Sequence, residues 1–314
     1  MNRRSFLGTA AAALAAPRAL AQGPKVFLDY DQAALDAAYD QSKYAPNLQQ
    51  VLHRYATNSE LARTRLGAPR RTAYGAQPSE QLDIYRTERA NAPIHVFIHG
   101  GAWRSGSAKD FAFPAETFVR AGAHYVVPDF AWVQDTGGSL LPIAAQLRQA
   151  IAWVARNAAS FGGDASRIYV SGHSSGAHQA GVLAITDWKR ELGLPSDIVK
   201  GYVLISGMYD LRPVSLSARS AYVKFNEQTL AELSAMRHLD KIVAPVAVVY
   251  GTLETPEFQR QSRDFAAALK DAGKPVELVV ADGYNHFEVM ETLAHPLQFA
   301  GRAALEQMKL KPPA

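Results

Sequence analysis

The sequence predicts an α/β fold: a mainly parallel sheet of eight strands with helices on both faces and a small cap. Strand-like and helix-like patterns alternate from about residue 70 onward, as in a parallel sheet with helical crossovers. Inner strands such as 94–98 are continuously apolar, which is typical of strands covered on both faces. The long segment 207–241 interrupts the alternation and predicts a cap over the sheet edge where ligands bind.

Eight stretches rich in β-branched and aromatic residues predict the strands. They lie near residues 71–74, 81–86, 94–98, 125–128, 168–170, 202–205, 246–250 and 276–280. Five stretches with apolar residues at helical spacing predict the covering helices. They lie near residues 109–121, 140–159, 174–186, 256–272 and 295–308. These elements define a domain over residues 70–314.

Two helical patterns precede this domain, at 29–39 and 47–66. Pro46 separates them, and the run Gly67-Ala68-Pro69 ends the second, because neither glycine nor proline continues a helix well. Residues 22–69 are therefore predicted to form an N-terminal helical flap that packs on the main domain.

The first 21 residues differ from the rest of the chain. Arg3 and Arg4 precede an alanine-rich apolar run that is too short to span a bilayer, and Ala19-Leu20-Ala21 resembles a signal-peptidase site. The pattern predicts a secretory signal cleaved after Ala21, and the paired arginines are similar to the twin-arginine export signal of bacteria. We therefore expect a periplasmic or secreted bacterial protein; the alternative is an N-terminal anchor that is retained in the membrane.

Charge and cysteine content exclude several classes of function. The formal net charge of +4 falls to +1 without the first 21 residues, which hold Arg3, Arg4, Arg18 and no acidic residue. This near-neutral balance predicts no nucleic-acid partner and no membrane partner after signal removal. The chain has no cysteine, so disulfides, thiolate metal sites and a cysteine nucleophile are excluded.

The candidate nucleophile is Ser174, in the pentapeptide Gly172-His173-Ser174-Ser175-Gly176. A short β-branched strand pattern precedes the pentapeptide and a helical pattern follows it, which is the strand–turn–helix context of a nucleophile elbow. In such an elbow the serine occupies a strained backbone conformation, and the two glycines let helix and strand approach closely. An alcohol is a poor nucleophile alone, so Ser174 needs a base, an orienting acid and oxyanion donors.

His286 is the predicted base, because it lies in a turn-rich loop between the last strand and the last helix. Two other histidines, His95 and His99, share one strand face, but without a third ligand core packing explains them better than zinc does. The histidines beside the elbow, His173 and His178, are expected to make local hydrogen bonds that stiffen it.

Glu254 is the predicted acid, because it follows the strand at 246–250 and could accept the Nδ1 proton of His286. Asp210, after the sixth strand, is its main competitor, and Asp282 is too close to the histidine along the same loop. The expected oxyanion donors are the N–H groups of Gly100 and Gly101, which follow the third strand, and of Ser175 at the start of the elbow helix.

These motifs resemble the α/β-hydrolase superfamily, and within it the HGG-type esterase and lipase group that includes arylformamidase (kynurenine formamidase) enzymes. The resemblance rests on His99-Gly100-Gly101, the elbow, Leu82-Asp83-Ile84-Tyr85, and Ser206-Gly207 with Asp210-Leu211-Arg212-Pro213. Thr255-Pro256-Glu257-Phe258 is similar to the S-P-E-F of formamidase-like members, where the preceding residue is an aspartate acting as triad acid. Here Glu254 occupies that position, one methylene longer.

The resemblance implies a serine hydrolase that cleaves a carboxylic ester through an acyl-enzyme, with formamide hydrolysis as the alternative. Acyl transfer to an alcohol and a non-catalytic ligand-binding role are further options. Neither a cofactor nor a metal is expected. Aromatic residues in or next to the loops at the carboxyl edge of the sheet predict a pocket for an aromatic or bulky small molecule, although each could equally belong to the core. They are Trp103, Phe130, Trp132, Tyr209 and Phe287.

Overall fold

A computed structural model describes residues 23–313 of the protein. The export signal predicted for residues 1–21 lies outside these described residues. Eight strands form one sheet at the positions predicted from the sequence, although the fifth extends over Gly163–His173 rather than over 168–170 alone. They are β1 (Arg70–Ala73), β2 (Gln81–Tyr85), β3 (Ala92–Ile98), β4 (His124–Pro128), β5 (Gly163–His173), β6 (Val199–Ile205), β7 (Val246–Gly251) and β8 (Val276–Ala281).

The spatial order of the strands is β8-β7-β6-β5-β3-β4-β2-β1. Strand β2 runs antiparallel to both its neighbours, β1 and β4, and every other pair is parallel. Strands β3 and β5 lie side by side at the centre, with Ile98 opposite Gly172. The carboxyl ends of these strands therefore bring the loop of Gly100 and Gly101 close to the elbow of Ser174. The predicted mainly parallel α/β architecture is confirmed.

Eleven helices occur in the described part of the chain. They are α1 (Gln32–Ala38), α2 (Leu48–Leu66), α3 (Ala115–Arg120), α4 (Leu141–Asn157), α5 (Ser175–Ala184), α6 (Trp188–Leu192), α7 (Leu211–Leu216), α8 (Glu227–Leu233), α9 (Pro256–Asp271), α10 (Glu288–Glu291) and α11 (Phe299–Gln307). Short 3₁₀ turns connect several of them. No helix between residues 23 and 313 is both long and apolar enough to cross a membrane.

Two apolar layers sandwich the sheet, because successive side chains of a strand point to opposite faces. In β3, Val96 packs in one layer with helices α4, α5 and α9, whereas Phe97 packs in the other with α2, α3 and α11. Both side chains have no exposed surface. Helices thus cover both faces of the sheet, which explains the continuously apolar central strands.

Three predicted helices are shorter than expected. The helix predicted at 29–39 begins only at Gln32, because Tyr30 and Asp31 pair with Lys25–Phe27 in a short ribbon. Proline is the reason in the other two. The helix predicted at 109–121 is a 3₁₀ turn at Ala108–Phe111 followed by α3, which begins directly after Pro114. The helix predicted at 295–308 begins only at Phe299, since His295 precedes Pro296 and adopts an extended conformation. A residue before proline is disfavoured in the α region.

The N-terminal segment and the insertion between β6 and β7 meet at the carboxyl edge of the sheet. In the N-terminal segment, a two-stranded ribbon precedes α1 and α2. The insertion consists of α7, a 3₁₀ turn at Ala218–Ala221, α8 and two further 3₁₀ turns. Tyr39 is tied to the main domain by a 2.9 Å hydrogen bond to the carboxylate of Glu257. Gln41 bonds the side chain of Thr255 at 3.0 Å.

Candidate active site

The turn between β5 and α5 holds Ser174 in a backbone conformation that side chains rarely adopt, with φ +56° and ψ −121°. The Ser174 amide donates to the carbonyl of Ile205 in the neighbouring strand at 2.9 Å, which fixes the turn. The flanking glycines are required by close backbone contact. A Cβ on Gly172 would lie 2.3 Å from the carbonyl oxygen of Gly176, and one on Gly176 would lie 2.1 Å from that of Ile98.

Three side chains from distant parts of the chain form one hydrogen-bonded row. Ser174 Oγ lies 2.9 Å from His286 Nε2, and His286 Nδ1 lies 2.9 Å from Glu254 Oε2. Ser174 is 7% exposed, His286 4% and Glu254 1%. Because water is largely excluded, the carboxylate and imidazole interact in a medium of low polarity, which strengthens their hydrogen bond.

The carboxylate of Glu254 is held by two further donors. The hydroxyl of Ser206 donates to Glu254 Oε1 at 2.5 Å, and the backbone N–H of Gly251 donates to the same oxygen at 2.7 Å. Ser206 follows β6 with φ +55°, a second strained non-glycine residue at this edge of the sheet. One oxygen of the carboxylate thus binds the scaffold, while the other remains for His286.

The two competing carboxylates are engaged elsewhere. Asp210 caps the start of α7, where its side chain accepts from the backbone N–H of Arg212 at 2.9 Å. Asp282 accepts from the hydroxyl of Thr252 at 3.0 Å. Of the three candidates, the structure therefore brings only Glu254 to the imidazole of His286.

The loop of His286 is fixed from both sides. The side-chain oxygen of Asn285 accepts from the N–H groups of Phe287 and Glu288 at 3.0 and 3.1 Å. His173 Nε2 lies 2.7 Å from the main-chain carbonyl of His286. Burial, together with the electrostatic influence of His286, lowers the pKa of His173 well below its ordinary value. His173 is therefore neutral and donates from Nε2, which leaves Nδ1 unprotonated.

The loop after β3 lies directly against the candidate nucleophile. A Cβ on Gly100 would lie 3.3 Å from the Cβ of Ser174, and Gly101 has φ +120°. The hydroxyl of Ser175 accepts from the backbone N–H of Trp103 at 3.2 Å, which ties the loop to α5. The N–H of Ser175 belongs to the first turn of α5, so it lacks a partner within the helix. The loop after β3 and the first turn of α5 thus both lie beside Ser174.

The other histidines near the elbow serve the core. His95 Nε2 lies 2.7 Å from the hydroxyl of Ser171, and burial lowers its pKa to about 3. The ring of His99 stacks on that of Phe130, and burial also lowers the pKa of His99. His178 accepts from the indole N–H of Trp103 at 3.2 Å, and burial lowers its pKa to about 4. Within residues 23–313, no group of three histidine or carboxylate side chains is arranged to hold a metal ion.

A cleft of about 880 Å³ opens above Ser174. The loop after β3, the N-terminal segment and the 3₁₀ turn of the insertion form its walls. Aromatic side chains contribute much of the lining; they are Tyr39, Tyr55, Phe111, Tyr222 and Phe287. The cleft thus has an apolar, aromatic interior with the Ser174 hydroxyl at its base.

Four of the five aromatic residues predicted to bind substrate lie elsewhere, and only Phe287 lines the cleft. Trp103 is buried in the core, where its indole N–H donates to His178. Tyr209 is also buried, and its ring stacks on that of Phe265. Phe130 and Trp132 also lie outside the lining of the cleft.

Phe130 is buried against His99. Trp132 is 38% exposed and lines a neighbouring depression instead. Position next to a loop was not a sufficient signal, because the direction of each side chain depends on the packing of the whole edge.

Sequence reasoning missed the residues of the cleft wall. Tyr39 and Tyr55 come from the N-terminal segment, while Arg219 and Tyr222 come from the insertion. Neither segment carries a catalytic motif, and only their contact across the sheet edge turns them into parts of one cleft. His173 also lines the cleft; its place next to Ser174 in the elbow was the available signal.

Similar proteins include a formamidase, a methylesterase and an esterase of known structure. The chain is 26% identical to kynurenine formamidase of Danio rerio over 82% of its own length and 90% of the relative's. It is 25% identical to isoprenylcysteine alpha-carbonyl methylesterase of Arabidopsis thaliana, covering 81% of this chain and 62% of that one. The crystal structure of esterase LipW from Mycobacterium marinum superposes with a TM-score of 0.66 at 18% identity, covering 86% and 90% of the two chains.

Fold and relatives together define this protein as a hydrolase of the α/β-hydrolase class, within its esterase group. The resemblance seen in the motifs is thereby confirmed. Residues 82–269 match the family model BD-FAE, and the chain belongs to that family. The match begins in β2 and ends in α9, so it includes the elbow and the acid loop but not His286.

Proposed function

We propose that the protein is a serine esterase that cleaves a carboxylic ester of a small molecule through an acyl-enzyme. The hydrogen-bonded row from Ser174 through His286 to Glu254, open to the cleft at its serine end, carries this proposal. The aromatic lining of the cleft favours a substrate with an aromatic or bulky apolar group.

In the first half-reaction, Ser174 Oγ bonds to the carbonyl carbon while His286 Nε2 takes the hydroxyl proton. Glu254 keeps the imidazole oriented and stabilises its positive charge. The negative charge on the carbonyl oxygen is stabilised by the N–H groups of Gly100, Gly101 and Ser175. The C–O bond of the ester then breaks, and His286 returns its proton to the leaving alcohol.

In the second half-reaction, water attacks the acyl carbon that is bonded to Ser174 Oγ, while His286 takes a proton from that water. The bond to Ser174 Oγ breaks, the proton returns to that oxygen, and the free acid leaves. Transfer to an alcohol instead of water would follow the same steps. All proton transfers use groups of this chain, so the scheme requires neither a metal nor a cofactor.

Formamide hydrolysis is the second candidate, favoured by the likeness to kynurenine formamidase. The same three side chains would cleave the C–N bond of an N-formyl aryl amine, first releasing the aryl amine and then, after water attacks the formyl-enzyme, formate. We distinguish the two by rates on p-nitrophenyl esters, alkyl esters and N-formyl aryl amines such as N-formylkynurenine. Turnover of the esters with no formamide cleavage supports the esterase, and the reverse supports the amidase.

Ser174→Ala serves as the blank in this panel, and Ser160→Ala, an exposed serine far from the cleft, as the matched control. Loss of the nucleophile should lower kcat about 10³- to 10⁶-fold, whereas the control should equal the parent. A fluorophosphonate probe should label the parent and not Ser174→Ala. Absence of both labelling and turnover in the parent would instead indicate a ligand-binding member of the fold.

We further propose that the protein acts outside the cytoplasm. The supporting observation is the sequence of residues 1–21, with Arg3 and Arg4 before a short apolar run and small residues at the cleavage position. An exported enzyme of this kind would meet esters in the periplasm or outside the cell.

A further inference from the structure

Two arginines flank one tyrosine in the wall of the cleft. Arg219 donates from Nη1 to the hydroxyl of Tyr222 at 2.9 Å. Arg104, three residues beyond Gly101 of the loop after β3, places its guanidinium carbon 4.5 Å from the centre of the same ring. All three side chains line the cleft together with Ser174. Two positive charges therefore share a small part of the wall.

Neither guanidinium has a counter-ion among residues 23–313. No carboxylate oxygen of the described residues lies within 4.0 Å of Arg104 or Arg219. The side chain of Arg104 donates no hydrogen bond to them, and the Nε of Arg219 is buried without a partner. Arginine stays charged in proteins, and Arg104 is exposed, so an anion that enters the cleft can reach its guanidinium.

The carboxylates of the same cleft accept hydrogen bonds from residues close to them in the sequence. Asp36 accepts from the side chain of Gln32 at 2.9 Å, and Asp110 accepts from Ser107 at 2.6 Å. Asp40 caps the 3₁₀ turn that follows it. These carboxylates thus bind donors of their own segments and neither arginine. The side chain of Arg104 has no acceptor among the described residues, and Arg219 has only the neutral acceptors Tyr222 Oη and the Tyr39 carbonyl.

Arg219 is also held in place. Its Nη2 donates to the main-chain carbonyl of Tyr39 at 3.1 Å, and its guanidinium lies 5.9 Å from the ring centre of Tyr39 and 5.7 Å from that of Trp103. An arginine fixed in this way loses little entropy on binding an anion. A purely structural role, joining the insertion to the N-terminal segment, explains these bonds but not the position of Arg104.

We infer that the substrate carries a carboxylate, and that Arg104 and Arg219 bind it beside Tyr222 while the scissile carbonyl lies at Ser174. This inference rests on the proposed function, because it specifies the class of substrate of the same site. Planar guanidinium groups suit carboxylates, with which they form charge-assisted hydrogen bonds. The aromatic side chains of the cleft would contact the apolar body of the same molecule.

The first test compares esters that differ only in charge. A p-nitrophenyl ester of succinic acid has a free carboxylate on its acyl group, and p-nitrophenyl pentanoate is a neutral analogue of similar length. We expect kcat/KM to be about tenfold higher for the anionic ester, and the preference to fall toward one in 1 M NaCl. Because the carboxylate could also belong to the alcohol, 4-acetoxybenzoate is compared with its methyl ester in the same way.

Arg104→Gln should abolish the preference, because it should lower kcat/KM on the anionic ester about tenfold more than on the neutral ester. Arg212→Gln, an exposed arginine of α7 outside the cleft, is the matched control and should keep the preference. Equal rates on anionic and neutral esters in the parent, or equal losses on both in Arg104→Gln, would overturn the inference.

A binding measurement keeps this test separate from the test of the esterase proposal. In Ser174→Ala, calorimetry should show benzoate binding about tenfold more tightly than benzamide, and Arg104→Gln in that background should remove the difference. A parent without esterase or formamidase activity whose Ser174→Ala form still prefers benzoate would refute the proposed function alone. Equal affinity for the two ligands would refute the carboxylate site alone.

Discussion

The hydroxyl of Ser206 donates a hydrogen bond to Glu254 Oε1 at 2.5 Å, at a point where the chain adopts a left-handed conformation to deliver it. Both side chains are almost fully buried. A strained residue is kept at such a position when the surrounding structure over-determines it, and strain of this kind clusters at active sites. Ser206 thus holds one oxygen of the Glu254 carboxylate, while the other oxygen faces His286.

We predict that Ser206→Ala lowers kcat about tenfold with little change in KM, because the carboxylate loses a donor while the cleft remains intact. Ser206→Gly relaxes the backbone and also lacks the hydroxyl, so an equal loss in both variants assigns the effect to the hydroxyl. Steady-state kinetics on a p-nitrophenyl ester measure it. Ser262→Ala, which removes a buried hydroxyl that has no partner in the described part of the chain, is the control.

A positioning role for Ser206 also requires that its effect depend on Glu254. In the Glu254→Ala background, removal of the Ser206 hydroxyl should cause no further loss of kcat, because residues that act as a unit are non-additive. Independent, multiplying losses would show that Ser206 supports the fold rather than the carboxylate.

Glu254→Asp tests the length of the acid side chain. Aspartate is one methylene shorter, so it cannot keep the contacts to Ser206, Gly251 and His286 together. We expect kcat to fall about 10- to 100-fold, and about 10⁴-fold in Glu254→Gln, where the charge is lost. Asp210→Asn is the control, since Asp210 caps α7 away from the imidazole. Full activity of the aspartate variant would contradict a loop adapted to glutamate.

Gly176→Ala tests the close packing of the elbow. Its Cβ would lie 2.1 Å from the carbonyl oxygen of Ile98, and neither backbone segment can move freely. We expect unfolding in urea to show a loss of about 3 kcal/mol or more. Gly273→Ala is the matched control, because Gly273 has a positive φ but nothing within 4 Å, so only about 1 kcal/mol should be lost.

Stability should decrease in mild acid because of buried neutral histidines. Burial lowers the pKa of His95 to about 3 and that of His178 to about 4. Below about pH 6.5 these two imidazoles bind protons in the unfolded chain but stay neutral in the folded protein. The free energy of unfolding is therefore highest above that pH and decreases below it. Each group should cost about 2 kcal/mol at pH 5.

Thermal unfolding at pH 8 and pH 5 measures this difference. His95→Gln, which titrates in neither state, should show a smaller decrease of Tm between the two pH values, whereas replacement of the exposed His53 by glutamine should change nothing. If Tm decreases between pH 8 and pH 5 by the same amount in His95→Gln as in the parent, the buried His95 does not contribute to the pH dependence.

The proposed export can be tested by replacing Arg3 and Arg4 with lysine. In a bacterial host with a twin-arginine pathway, we expect the parent in the periplasm with an N-terminus at Gln22, and the double variant in the cytoplasm. Fractionation and mass spectrometry of the N-terminus measure both. An uncleaved parent chain found in the membrane fraction would instead support the retained anchor.

The strand pattern and the elbow could be predicted from the sequence because their signals are local. The order of strand, tight turn and helix around Ser174 needs no distant contact, and the apolar run of β3 reports burial on both faces. Helix bounds were less accurate where a proline acts, as at Pro114 and Pro296, because the restriction on the preceding residue shortened the helix.

The amino-acid sequence was enough to predict the α/β fold and to identify Ser174, His286 and Glu254 as candidates, since each follows a strand and the carboxyl ends of the strands meet at one edge. The tertiary structure alone decided the walls of the cleft, where residues as far apart in sequence as Tyr39 and Arg219 touch. It also decided which aromatic rings face solvent, because side-chain direction at that edge follows from packing between segments. Such contacts between distant segments leave no periodic trace in the chain.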